Sequence, residues 1–337
     1  MILVTGGLGY IGSHTVVALI EKGHKVLVVD DLSNSRLSVL EGIKQITGKK
    51  PLFEQIDLKD KKSVEELFIS YASIKGIIHF AASKAVGESV ENPLMYYRNN
   101  IDPLLHILNQ LKFPVNFIFS SSCTIYGQAK TLPITEETPA LRPVSPYGNT
   151  KKIGEEILED VTKSNKNLKT ISLRYFNPIG ADPSGLIGEN PKDVPQNLVP
   201  YLTRSALGKV PELVVHGKDY PTPDGTCIRD YIHVVDLAHA HVAALDYLNN
   251  EENTHPFTVF NIGTGKGNSV LEVIESFNRV AKTQLKYSFG PRRKGDIISA
   301  YASIDKAKKV LNWRPKHSLD DAIRSAWKWE KKNTPIT

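Results

Sequence analysis

At 337 residues, 41% of them hydrophobic and 23% charged, the chain is long and apolar enough to bury a large core, and two lobes are expected. Its net charge of +6 comes from 42 basic residues scattered among 36 acidic ones, which suits a solvated surface with a small-anion site rather than nucleic acid. No apolar run reaches the roughly eighteen residues of a membrane span, the N-terminus lacks a charged leader, and two cysteines offer neither a disulfide framework nor a metal site. A cytosolic protein with no metal and no membrane partner is expected.

Met1-Ile2-Leu3-Val4 is a short apolar run that enters Thr5-Gly6-Gly7-Leu8-Gly9-Tyr10-Ile11-Gly12, and Val16, Leu19 and Ile20 continue it as a helical apolar face ending near Gly23. Strand, glycine turn and helix together make a dinucleotide fingerprint, Gly7-x-Gly9-x-x-Gly12. Its glycines permit a tight turn and let a pyrophosphate approach the positive end of the helix. Lys25 to Asp30 reads as the second strand and delivers Asp30-Asp31 eighteen residues after Gly12. An acid there accepts from an adenosine ribose and repels a 2′-phosphate, so NAD is favoured over NADP and Asp30 over Asp31 as ribose ligand.

Leu52 to Ile56 is a third strand-like run ahead of Asp57-Leu58, and Gly76 to Ala82 reads as a buried parallel strand. His79 inside it, like His14 on the first helix, reads as a packed residue rather than a base. Ser83-Lys84-Ala85-Val86-Gly87-Glu88 follows, with Lys84 within reach of cofactor or substrate phosphates, and Tyr96-Tyr97-Arg98-Asn99-Asn100 opens a helix running toward Leu111. Val115 to Ser120 is the next strand and presents Ser120-Ser121-Ser122 at its carboxyl end; Cys123 beside them reads as a small packed residue before a nucleophile.

Ser145-Pro146 ahead of Tyr147 reads as an N-cap and first helical residue, and Ile153, Ile157, Leu158 and Val161 continue the helix. On it, Tyr147 and Lys151 are neighbours roughly 5–6 Å apart at Cβ. A free phenol, with a pKa of about 10, is a poor base. A nearby ammonium lowers that value, so the pair reads as an acid/base centre for a substrate hydroxyl. Lys169 to Arg174 is a further strand, closing on Tyr175-Phe176-Asn177-Pro178.

Alternation of strands and helices over the first 175 residues predicts an α/β doubly wound parallel sheet of the Rossmann type. Beyond Asn177 the sequence turns Pro- and Gly-richer, and a second, smaller mixed α/β substrate lobe is expected. The division is 1–176 with 228–262 returning to it, against 177–227 and 263–337. Phe257 to Ile262 is the returning strand. Gly263, Gly265 and Gly267 suit a turn better than a phosphate loop, since no lysine follows in P-loop spacing. Pro291-Arg292-Arg293-Lys294-Gly295-Asp296 is a basic cluster that, with Arg229, suits a diphosphate better than a purely solvated face.

These motifs resemble the extended short-chain dehydrogenase/reductases over nearly the whole chain. Within them Lys84-Ala85-Val86-Gly87-Glu88-Ser89, Arg174 to Pro178, Arg229-Asp230-Tyr231-Ile232-His233 and Arg292 to Asp296 resemble the UDP-glucose 4-epimerase family. The resemblance implies bound NAD, a UDP-hexose substrate and a homodimer, formed through helices near Ile101–Leu111 and Ile153–Val161. Tyr147 would take the proton of the sugar 4-hydroxyl, Lys151 would hold the nicotinamide ribose, and Ser122 would bond the same sugar oxygen. Cofactor contacts are implied at Gly6, Gly9, Tyr10, Ile11, Gly12, Asp30, Asp31, Asn34, Ser35, Asp57, Leu58, Phe80, Ala81, Lys84, Asn99, Tyr147, Lys151 and Phe176. Substrate contacts are implied at Lys84, Ser122, Tyr147, Tyr175, Asn177, Asn197, Leu198, Val214, His216, Arg229, Arg293, Asp296 and Ala300.

At Ala300 some family members carry a bulky tyrosine beside the hexose 2-position, so UDP-N-acetylhexosamines are expected to enter, unless the neighbouring Tyr301 supplies the bulk. A 4,6-dehydratase would place an Asp-Glu pair after Ser122, where Cys123-Thr124 stands. An NADP-linked reductase is disfavoured by Asp30. A silent NAD-binding regulator would lack Ser122, Tyr147 or Lys151, all of which are present.

Overall fold

The computed structural model describes residues 1–140, 143–250, 255–293 and 295–333. In it the first apolar runs become strands β1 (Ile2–Thr5), β2 (Val26–Asp30), β3 (Leu52–Gln55), β4 (Gly76–His79), β5 (Val115–Ser122) and β6 (Leu168–Tyr175). The helices between and beside them are α1 (Tyr10–Glu21), α2 (Ser38–Thr47), α3 (Lys61–Ser70), α4 (Val86–Glu91), α5 (Pro93–Leu108) and α6 (Pro146–Ser164). Beyond them come β7 (Asn177–Ile179), α7 (Leu198–Ala206), β8 (Leu213–His216), β9 (Ile228–Arg229), β10 (Tyr231–His233), α8 (Val234–Asn249) and β11 (Phe257–Ile262). The chain ends through β12 (Asn268–Ser269), α9 (Val270–Ala281), β13 (Tyr287–Gly290), β14 (Ser299–Ala300), α10 (Asp305–Val310) and α11 (Leu319–Lys332).

Seven strands form one parallel sheet in the order β11-β6-β5-β4-β1-β2-β3. The strand order reverses at β1, which pairs β2 on one side and β4 on the other. A crevice at the carboxyl ends of the strands follows from that reversal. Neighbouring residues on each central strand serve opposite faces. Val4, Ile78 and Ile118 pack with α1 and α8, whereas Leu3, Ile77 and Phe117 pack with residues of α3 and α5. Both faces are covered, which is why these strands read as unbroken apolar runs. Truncating a residue such as Leu3, fully buried, should cost about 2–5 kcal/mol.

Two strand ends differ from the sequence reading by more than one residue. The run expected through Ala82 leaves the sheet after His79, because Gly6, with φ of +65°, turns the chain away from β4 just past Thr5 and removes its ladder partner. The fifth strand runs on to Ser122 instead of stopping at Ser120, since β6 accompanies it as far as the Ser122–Tyr175 pair. The serines are thus buried strand residues.

The smaller lobe packs α7, α9 and α11 around Val199, Leu202, Val273, Phe277 and Ile323. Short sheets β8–β13, β7–β10 and β12–β9–β14 rim it beside the strand ends.

Candidate functional site

The glycine turn after β1 is closed on itself. A Cβ built on Gly12 would lie 2.8 Å from Gly7 Cα and closer still to the Gly6 carbonyl, and one on Gly6 would lie 2.9 Å from the Ala81 nitrogen. Without side chains there, the first-turn N–H groups of Tyr10, Ile11 and Gly12, which have no carbonyl four residues back inside α1, are left for an anion. The Tyr10 side chain itself points elsewhere, donating to the Gly180 carbonyl at 2.7 Å. Asp30, at the end of β2, is buried and accepts from Leu8 N at 3.0 Å, Leu32 N at 3.0 Å and the Ser35 hydroxyl at 2.6 Å. It therefore braces the turn as well as ending the strand. Asp31 is occupied locally by Ser33, and Asn34 is exposed.

Beyond β3, exposed Asp57 pairs with Lys59 at 3.4 Å, and Lys59 also donates to Asn99 at 3.1 Å, drawing three residues of one rim together. Leu58 is a core residue, so only its backbone faces the rim. Phe80 and Ala81 lead away from β4, the Phe80 ring lying 4.7 Å from that of His241. His79 is buried with its Nδ1 2.8 Å from the Thr5 hydroxyl, and His14 is buried against the Tyr10 carbonyl. Both are packed residues.

At the centre, the Ser145 hydroxyl accepts from Gly148 N at 3.2 Å and Pro146 opens α6, which fixes the first turn that carries Tyr147. Lys151, one turn on, is buried, and its ammonium lies 5.1 Å from the Phe119 ring centre and 6.0 Å from that of Tyr147. Burial pushes the Tyr147 phenol up to about 12, while the Ser122 hydroxyl beside it pulls the other way. Burial likewise pushes Lys151 down to about 7, opposed by the charge of Glu155. The lowering of the phenol by Lys151 that the spacing suggested is thus outweighed by desolvation of both groups. Ser122 Oγ accepts from Thr124 N and the Thr124 hydroxyl, leaving its own proton for another acceptor. Tyr175 is buried with its hydroxyl on that of Ser120, and Phe176 is buried behind it. Burial pushes the Cys123 thiol up to about 12, which removes it as a nucleophile at neutral pH.

Toward the smaller lobe, Lys84 Nζ in the loop after β4 stands 3.0 Å from Glu189 Oε1, and the same oxygen accepts from Asn197 Nδ2 at 2.7 Å. Asn197 is the exposed residue before α7, whose first residue is Leu198. Arg293 forks onto Asp296 at 2.9 and 3.2 Å, and Arg229 approaches the same carboxylate at 3.7 Å. Lys294, from the same basic cluster, lies outside the described residues. Val214 is exposed, and His216 reaches the Pro291 carbonyl at 3.2 Å, both on β8. Half-buried Asn177 starts β7, whose partner β10 follows Arg229. Ala300 is buried beside Ile125, Tyr126 and Phe176.

Three residues were given no role by the sequence. Glu155 binds Arg174 inside the molecule, Glu189 bridges Lys84 and Asn197, and fully buried Asp230 is caged by Thr264, Gly265 N and Ala302 N. That cage makes the Gly263–Gly267 segment a turn wrapped on a carboxylate. Only the isolated acid of Arg229-Asp230-Tyr231 hinted at it. Among the described residues no cluster of His, Cys, Asp or Glu is placed to hold a metal ion, and no helix is long and apolar enough to cross a membrane.

A doubly wound parallel sheet with a glycine turn at its reversal, an acid ending the second strand, and serine, tyrosine and lysine grouped at the fifth strand's end define an extended short-chain dehydrogenase/reductase. The family model described as GDP-mannose 4,6 dehydratase matches residues 3–326. A UDP-glucose 4-epimerase of Dictyostelium discoideum is 48% identical, over 98% of this chain and 96% of its own. The structure of UDP-glucose 4-epimerase from Bifidobacterium longum in complex with NAD+ and UDP superposes with a TM-score of 0.93 at 46% identity, over 98% of each chain. The UDP-Glc/GlcNAc 4-epimerase from Campylobacter jejuni superposes with a TM-score of 0.84 at 39% identity, over 98% of this chain and 99% of its own. The chain belongs to the UDP-glucose 4-epimerase family. Cys123 and Thr124, where dehydratases carry acids, agree with that branch.

Proposed function

We propose that this protein interconverts UDP-galactose and UDP-glucose by transient oxidation at the sugar 4-position, rotation of the 4-keto sugar, and reduction on its other face. The observation that carries the reading is the grouping of Ser122, Tyr147 and Lys151 at the sheet's carboxyl edge, on the same edge as the glycine turn. NAD, when bound, supplies the hydride acceptor and donor and, in its oxidised form, a positive charge in the cleft. The cradle fits it: bare first-turn N–H groups of α1 would take its diphosphate, Asp30 the adenosine ribose, and Asn34, Ser35, Asp57, Leu58, Phe80, Ala81 and Asn99 the rest of that half.

Tyr147 takes the 4-hydroxyl proton, and Ser122 bonds the same oxygen and relays the proton between them. With its phenol at about 12 in the protein alone, Tyr147 needs the positive charges of Lys151 and of the cofactor to act as a base. Lys151 also holds a ribose hydroxyl. Asn177, Asn197, Leu198, Val214, His216, Arg229, Arg293 and Asp296 grip UDP while the hexose turns between Tyr175, Phe176 and Ala300. A firm anchor and a loose sugar are what inversion without a second base requires. Ala300 leaves space beside the 2-position, so UDP-GalNAc and UDP-GlcNAc are interconverted as well.

The lobes are 1–176 with 228–262, and 177–227 with 263–337. The protein acts as a cytoplasmic homodimer, supported by the paired helices α5 and α6, where Leu105 is exposed and Ile153 half-buried. Sedimentation equilibrium tests the dimer. The function is tested by turnover of UDP-galactose without added cofactor, in wild type and Tyr147→Phe. Conversion that collapses in the variant is expected; a folded wild type that converts nothing, even with NAD supplied, overturns the reading.

A further inference from the structure

Directly below the Tyr147–Lys151 pair lies a buried ionic knot that the reaction as described does not use. Glu155, one turn beyond Lys151 on α6, is buried, and its carboxylate meets the Arg174 guanidinium in a fork. Arg174 Nε donates to Oε1 at 3.0 Å and to Oε2 at 3.1 Å, and Nη2 donates to Oε2 at 2.5 Å. The Ser121 and Ser172 hydroxyls donate to Oε1 at 2.5 and 3.0 Å. Arg174 in turn donates to the Tyr126 hydroxyl at 2.9 Å, which donates to Asn261 at 2.7 Å. Of these donors Ser121 on β5 and Arg174 on β6 are next to Ser122 and Tyr175, so one carboxylate ties α6 to both strands at the level of the chemistry. Beside it, a Cβ on Gly154 would lie 2.6 Å from Phe119 Cζ, which shows how closely α6 is seated there.

A buried ion pair is not by itself a source of stability, since desolvation offsets much of the attraction. Its value here is local. The titratable groups around Lys151 and Tyr147 are His79 on β4, Cys123 after β5, Arg174 and Tyr175 on β6, Tyr96 on α5, and Glu155 on α6. Burial keeps His79, Cys123, Tyr96 and Tyr175 neutral at pH 7, and Glu155 alone among them brings negative charge. We propose that Glu155 is a positioning residue for the reaction: through Arg174 it fixes the helix face bearing Tyr147 and Lys151 against the strand ends bearing Ser122 and Tyr175, and its charge compensates the Lys151 ammonium.

The test compares wild type, Glu155→Gln and Glu155→Asp by 13Cε NMR titration of labelled lysines, with Lys151→Met assigning the Lys151 signal, and by the pH dependence of kcat and KM. In Glu155→Gln the Lys151 midpoint should fall by about one pH unit, as expected for losing one nearby charge at an effective dielectric of about 20. The alkaline limb of kcat should move down with it, and KM for UDP-galactose should stay within about twofold because the anchor is elsewhere. Glu155→Asp, which keeps the charge but shortens the reach, should hold the midpoint within about half a unit while kcat falls about tenfold through misplacement. An unmoved Lys151 midpoint in Glu155→Gln, or an equal loss of kcat at every pH, overturns the electrostatic role; undiminished kcat in Glu155→Asp overturns the positioning role. Should Glu155→Gln not fold, Glu155→Asp carries the test by its kcat. The kinetic arm rests on the epimerase reading, whereas the NMR arm does not, so a wild type without turnover would sink that reading and leave the titration standing.

Discussion

Lys84 Nζ and Glu189 Oε1, 105 residues apart in the chain, meet at 3.0 Å and join the loop after β4 to the smaller lobe. The same carboxylate oxygen holds Asn197, so one acid engages two groups proposed to take up ligand. On the proposed reading, nucleotide sugar exchanges with this carboxylate to reach them.

Glu189→Gln should therefore lower KM for UDP-galactose while leaving kcat within about twofold. The gain is bounded. The Lys84 side chain is half exposed, and such a pair is worth only about 0–1 kcal/mol, or at most about fivefold in affinity. Steady-state kinetics at two ionic strengths decides it, and a raised KM would mean that Glu189 orients Lys84 and Asn197 instead of competing for them.

Asp296 offers the opposite case. It gathers Arg229 and Arg293, and removing a carboxylate near a bound diphosphate would by charge alone tighten binding. Asp296→Asn should instead raise KM about 10-fold, because two guanidiniums lose the partner that fixes their angle. Arg229→Met should raise KM about 10–100-fold, the worth of a charge-assisted hydrogen bond of about 1.5–3 kcal/mol. Tighter UDP binding by Asp296→Asn in calorimetry would show that the carboxylate only repels.

The sheet was legible because both its faces are buried: Ile2 to Val4, Val26 to Val29 and Phe117 to Phe119 run apolar without alternation, the first cut by the glycine turn, the second by Asp30 and the third by serines. The start of α6 was legible from Ser145-Pro146, a purely local signal. Pairings across elements were not. Glu155 reads from sequence as one acid among four on a helix of mixed charge, and only the arrival of β6 beside β5 places Arg174 and Ser172 against it. The burial of the phenol was not legible for a related reason, since spacing shows a neighbouring ammonium but not the desolvation of both groups. Short strands such as β8 and β13, paired across more than 70 residues, were not read either, because three aliphatic residues in β8 and two aromatic ones in β13 are too short a run to tell strand from loop.

Lys151 also sets a pH dependence of stability. Its folded value of about 7 lies below the ordinary 10.5, so between those limits the unfolded chain holds a proton that the folded one has released. Stability of the ligand-free protein should therefore rise with pH from about 7 toward 10, and Lys151→Met should lack that rise. At pH 7 the variant should melt higher than wild type while losing turnover, because it no longer buries an ammonium with no fixed acceptor. Thermal melts of both at pH 7 and 9 check this. Parallel pH profiles in the two proteins would assign the dependence to other groups.

The proposed sugar range turns on Ala300. It is 2% exposed, packed by Ile125, Tyr126 and Phe176, so a larger side chain there cannot turn to solvent and must occupy space on the sugar side or disturb those neighbours. Wild type should turn over both UDP-galactose and UDP-GalNAc. Ala300→Tyr should keep UDP-galactose turnover within about tenfold and lose that of UDP-GalNAc by at least about 100-fold, since a blocked N-acetyl group pays a steric cost that a 2-hydroxyl does not. Tyr301 does not substitute for that bulk: its carbonyl accepts from Ile134 N at 2.9 Å, and its ring lies toward Gly267 on the other side of β14. Wild-type turnover of UDP-galactose with none of UDP-GalNAc would show that another side chain closes the 2-position.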